Sequence, residues 1–186
     1  MKNTTTLVAQ IFWGLMIVAI DIHLGRFDVL PDFAGYVLVA LGAAGLVGWS
    51  RQFQTSRLLS WILVPISAAL MVFPGGLLKL TWILSVALDG ALMWFLLGGV
   101  IAFAQSRSRH EWVSRASICR RAYLGLAGAG LLISWIAPAF PTVARVLGSV
   151  TFVAMLFLMA VILYLLHQVK GEATSNSQPD ELKEAA

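Results

Sequence analysis

The chain has 186 residues, 59% of them hydrophobic and only 12% Asp, Glu, Lys or Arg, roughly half the charged fraction of an ordinary soluble domain. Mean hydropathy is +0.84, and the apolar residues fall into runs of about twenty, each long enough to cross a hydrocarbon layer of roughly 30 Å as a helix. A water-soluble globule is all but excluded, and an all-α polytopic membrane protein is expected.

The runs predict six spans, over residues 6–24, 31–50, 58–73, 77–105, 122–137 and 141–167. One Lys precedes the first, which continues through Ile20 without a small-x-small cleavage site before Asp21. A retained helix is expected there, not a cleaved signal peptide. Asp21 lies about one turn below its outer end, with Gly14 and Gln10 continuing its face.

The loop that follows gathers Asp21, His23, Asp28 and Asp32, three carboxylates and a histidine. Such donors suit a divalent metal that could activate water, but no spacing here is diagnostic. Pro31 and Asp32 fit more simply as the first turn of the second helix, where Pro costs no hydrogen bond and a carboxylate complements the dipole.

The residues Gly25-Arg26-Phe27-Asp28-Val29-Leu30-Pro31-Asp32-Phe33-Ala34-Gly35-Tyr36 resemble a segment of small uncharacterised bacterial polytopic membrane proteins, which reads G-x-F/I-D/N-I-L-P-D/N-F-I/V-G-Y directly before a helix. The resemblance covers about a dozen residues. It implies a bacterial inner-membrane location and carries over no activity and no catalytic residue.

Small residues recur at four-residue spacing in the second span (Ala40, Ala44, Gly48) and the fifth (Gly125, Ala129), with Gly98 and Gly99 in the fourth. Faces of this kind let helix backbones approach closely, within a bundle or between copies of the chain. Pro65 falls inside the third span and is expected to bend it. The tetrapeptides Val18-Ala19-Ile20-Asp21 and Val86-Ala87-Leu88-Asp89 echo one another, a match too short to establish two inverted halves.

Asp89, in the fourth span, is the most informative polar residue. Taking Lys79 as the outer edge puts it about 15 Å deep, near the midplane, where a charge needs a partner or water. Thr81, Ser85 and Asp89 form one stripe, and Thr142, Arg145 and Ser149 form another at the outer end of the sixth span. Together with Asp21 these stripes suggest a vestibule narrowing from outside toward Asp89, with Asp21 and Arg145 at its mouth. A structural Asp–Arg clamp is the equal alternative.

Between the fourth and fifth spans, residues 106–121 hold five Arg residues around Trp112, Val113, Ala116 and Cys119, which recur at helical spacing. The segment is read as a topology-fixing loop, with an amphipathic helix on the inner leaflet as the alternative. Cys119 is the only cysteine, so no intramolecular disulfide forms, and no Cys/His array offers a structural metal site. His110 and His167 sit at the cytoplasmic interface. Residues 171–186 lack aromatic and β-branched aliphatic residues and are expected to be a disordered cytoplasmic tail, leaving 1–170 as the bundle.

With both termini inside, Lys2, Arg51, Arg57, Arg107, Arg109, Arg115, Arg120, Arg121, Lys170 and Lys183 are cytoplasmic, and only Arg26, Lys79 and Arg145 lie outside. The bias satisfies the positive-inside rule. The net charge of +4 then reports orientation, and no nucleic-acid partner is expected.

The leading expectation is a small transporter or channel-like protein in which Asp89, Asp21, Arg145, Ser85, Thr81 and Ser149 serve an ion, proton or small polar solute. It would work in membrane lipid as a homo-oligomer, without a cofactor. The alternative is a non-enzymatic membrane subunit or sensor whose basic loop and acidic tail engage a cytoplasmic protein. A metal-dependent enzyme acting on lipid through Asp21, His23, Asp28 and Asp32 ranks third, because no HExxH, GxSxG or comparable signature occurs.

Overall fold

The structure, a computed structural model, describes residues 4–19, 23–24, 27–28, 32–72 and 78–175. It is all-helical apart from one short hairpin. Six helices follow in chain order: α1 Thr4–Ala19, α2 Asp32–Leu46, α3 Arg51–Val72, α4 Leu78–Ser106, α5 His110–Ile136 and α6 Pro141–Ser175. Strands β1 (His23–Leu24) and β2 (Phe27–Asp28) pair antiparallel between α1 and α2.

Each helix packs against its neighbours in the chain, and α6 returns to pack on α1, so the six close into a ring. Three stretches are long and apolar enough to cross a membrane: Ile83–Ser106, His110–Ile136 and Pro141–Lys170. At 16 and 15 residues, α1 and α2 fall short of a full crossing.

Several boundaries differ from expectation for identifiable reasons. The first helix stops at Ala19, and His23–Leu24, expected inside it, pairs as a strand instead. Residues 47–49 leave α2 as a turn. The third helix begins at Arg51, seven residues before the apolar run. Ser50 Oγ accepts the Gln52 backbone N–H there, an N-terminal cap that hydropathy does not register. The fourth agrees with expectation to within one residue.

The largest correction concerns residues 106–121, expected as a loop or a separate surface helix. They form a three-residue turn, with Ser108 at φ 56°, and then the first turns of α5, which runs unbroken to Ile136. Ala116, Cys119 and Tyr123 are buried along its inner face. Finally α6 starts at Pro141, as a first-turn proline favours, and continues through Ser175, past the expected start of the tail. Residues 176–186 lie outside the described residues.

The core occupies the half of the ring where α1 begins and α6 finishes. It is built from Leu7, Ile11 and Leu15 of α1, Val39 and Ala43 of α2, Phe53 and Leu63 of α3, Leu92, Leu96 and Val100 of α4, Ala116, Cys119 and Tyr123 of α5 and Leu158, Ile162, Leu165 and Val169 of α6. Close approach of α1 and α2 is made by Gly14, Gly35 and Gly42; of the expected face, Ala40 is fully buried and Gly48 is exposed. A Cβ on Gly14 would lie 2.6 Å from the Gly35 carbonyl oxygen, and one on Gly48 would meet nothing. Gly98 and Gly99 do receive a neighbour, Gln52 and Phe53 of α3.

The other half is termed open because, among its described residues, Leu132 and Trp135 of α5, Phe140 of the turn and Val146, Val150 and Phe157 of α6 are exposed. A Cβ on Gly125, Gly128, Gly130 or Gly148 would have no neighbour within 4 Å, so the expected Gly125–Ala129 face is unpacked within the chain.

Candidate functional site

Asp89 sits on α4 where the packed half gives way to the open half. Leu92, Met93, Leu96 and Leu97 below it are fully buried, while Leu84 above it is exposed. Two helices supply its partners. The Tyr36 hydroxyl of α2 donates to Asp89 Oδ1 at 3.2 Å. The Tyr123 hydroxyl of α5 donates to Asp89 Oδ2. Since α2 and α4 are not packed neighbours, the Tyr36 bond reaches across the interior of the ring.

Local sequence places each group. Tyr36 lies four residues into α2, about 6 Å along it, whereas Asp89 lies eleven residues into α4, about 16 Å along it. The first turn of α2 therefore lies roughly 10 Å below the start of α4. Tyr123 continues the stripe Trp112, Ala116, Cys119 by one more turn of α5. Both tyrosines are nearly enclosed, 5% and 4% exposed, so their hydroxyls meet the carboxylate away from bulk water. Asp89 itself is half-buried.

A hydrogen bond to a charged carboxylate is worth about 1.5–3 kcal/mol. Two such donors from separate helices make Asp89 tolerable in an apolar setting and tie α2, α4 and α5 to one point. A hydroxyl rotates and offers lone pairs as well as a proton. The same three side chains can thus present oxygens to a cation, or pass a proton between carboxylate and phenol. Among the described residues no basic side chain is paired with Asp89.

The remaining expected residues are not gathered here. Arg145 is exposed and lines an open groove of roughly 400 Å³ between α5 and α6 with Gly130, Ser134 and Pro141. Ser149, also exposed, donates its hydroxyl to the Arg145 carbonyl one turn back. Ser85 and Thr81 are half-buried on α4, on the open side of Asp89. Asp21 lies outside the described residues. Gly14, expected to continue its polar face, is buried against α2. In the hairpin register His23 stands opposite Asp28, and Asp32 opens α2. Among the described residues no group of three or more His, Cys, Asp or Glu is placed to hold a metal ion.

Comparison with known proteins yields no match: no family model fits the chain, and no curated protein or solved structure is similar to it.

Proposed function

We propose that the protein is a small multi-pass transporter or channel-like protein of the bacterial inner membrane, in which Asp89 binds a proton or a small cation. The observation that carries this reading is the pairing of Asp89 with two phenol hydroxyls. An ion-pair clamp would match the carboxylate with an arginine or lysine, and among the described residues Asp89 meets two neutral donors instead. Asp89 has donors that hold it in place without neutralising it, which leaves its charge for a ligand.

Orientation follows from the basic residues. Arg51, Arg57, Arg107, Arg109 and Arg115 are exposed toward the end where α1 begins and α6 finishes, and positive ends stay in the cytoplasm. On this reading the open half faces outward, with Ser85 and Thr81 of α4 along the approach and the phenol pair as its floor. All six helices then traverse the bilayer, α1 and α2 with the hairpin completing their outer ends.

The test is reconstitution of the full chain in liposomes with a fluorescent reporter of internal pH or cation. Wild-type protein is expected to dissipate an imposed gradient, Asp89→Glu to do so partially, and Asp89→Asn to insert and fold without doing so. Equal flux through wild type and Asp89→Asn would overturn the proposal.

A further inference from the structure

A second charged side chain packs at the α4–α5 interface and makes no hydrogen bond to Asp89. Arg120 is ten residues into α5, about 15 Å from its start, and is half-buried. Its Cζ lies 3.2 Å from the centre of the Trp94 ring of α4. Its Nε is buried with no hydrogen-bond partner. Among the described residues no carboxylate is paired with it.

The ring face offers attraction but no acceptor, and a guanidinium has five N–H donors to satisfy. The contact lies at the α4–α5 interface, three residues before Tyr123 on α5. One turn further on, Leu124 is 40% exposed and faces Gly90, where a Cβ would meet Leu124 alone. Exposed Arg107, Arg109 and Arg115 lie between Arg120 and the α4–α5 turn or on that turn, and Arg121 donates its Nε–H to the Ser117 carbonyl.

An acceptor that carries negative charge and presents more than one oxygen suits the unpartnered guanidinium between Trp94 and Leu124. We propose that the α4–α5 interface binds the phosphate of an anionic phospholipid through Arg120 stacked on Trp94. Arginine is suited to this, because its planar fork engages two phosphate oxygens while its flat face stays on the indole. Assignment to the cytoplasmic leaflet rests on the orientation proposed above. The binding chemistry does not.

The experiment is native mass spectrometry of the full detergent-solubilised chain, titrated with phosphatidylglycerol and with phosphatidylcholine. Wild type is expected to retain phosphatidylglycerol preferentially. Arg120→Gln should weaken that binding about tenfold, the loss of one charge-assisted contact, and leave phosphatidylcholine unaffected. Arg120→Lys and Trp94→Leu should each give smaller losses, and they carry the test if Arg120→Gln fails to fold. Asp89→Asn should leave the lipid adduct intact, so failure here and failure of the transport reading are separable. Phosphatidylglycerol binding unchanged in Arg120→Lys and Trp94→Leu, equal retention of both lipids by wild type, or displacement of the adduct by inorganic phosphate would each overturn the proposal.

Discussion

Replacing Gly14 with Ala tests the division into a packed and an open half, on which the position of the site depends. The new Cβ would stand 2.6 Å from the Gly35 carbonyl oxygen, 2.8 Å from Val39 Cγ2 and 2.9 Å from the Val39 backbone nitrogen. Two of those three atoms are backbone, so no rotamer change relieves the overlap and α1 must move away from α2 by up to about 1 Å. Overpacking of this kind costs about 1–3 kcal/mol, partly offset by up to about 1 kcal/mol of helix propensity gained over glycine. A net loss near 1–2 kcal/mol corresponds to a fall of roughly 2–8 °C in the unfolding midpoint of a chain this size. Gly128→Ala is the internal control, because its Cβ would meet nothing within 4 Å and only the propensity gain remains. Thermal unfolding of both variants in detergent, followed by tryptophan fluorescence, provides the comparison. If Gly14→Ala melts with wild type while Gly128→Ala melts early, the packed and open halves are reversed and the argument fails.

Tyr123→Phe and Tyr36→Phe each remove one donor from Asp89 and should each lower stability by about 1–3 kcal/mol, with a double variant that departs from additivity because both hydroxyls serve one carboxylate. Additive effects in a thermal-melt cycle would mean that the two tyrosines act independently. Cys119 is 4% exposed and should react with a maleimide at least tenfold faster after denaturation than in the folded protein; equal rates would contradict burial of the α5 inner face. An alkaline-phosphatase fusion at Ala186 should be inactive, since the reporter would remain in the cytoplasm, and activity there would reverse the proposed orientation.

Hydropathy made α4 legible to within one residue because its apolar run is continuous and its ends are polar or glycine-rich. The same measure hid nearly the first half of α5, residues 110–121. Arg115, Arg120 and Arg121 interrupt the apolar signal, but arginine is a good helix former, and the stripe Trp112, Ala116, Cys119 runs on into Tyr123. Hydropathy reports the solvent a segment prefers, and helix continuity depends on backbone propensity and on one buried face. Extending that stripe by one turn would have drawn attention to Tyr123.

Tyr36 had a weaker signal, as the closing residue of the segment 25–36. Its role depends on which helices face each other across the ring, and a one-dimensional pattern does not encode that. Arg145 illustrates the same limit in reverse. Its spacing with Thr142 and Ser149 is helical, but the face it shares with them points away from the packed half. Asp89 stood out from sequence alone because one carboxylate in a run of apolar residues has few inexpensive explanations.

The most direct test of Asp89 as a ligand site is infrared difference spectroscopy of the protein reconstituted in lipid, comparing acidic with alkaline buffer and sodium with choline salt. If Asp89 takes up a proton or a cation, wild type will show a carboxyl or carboxylate band that changes between conditions and is missing from Asp89→Asn, and Tyr123→Phe will shift that band. Identical difference spectra from wild type and Asp89→Asn would contradict the account, because the carboxylate would then hold its two tyrosines in every condition and bind nothing else.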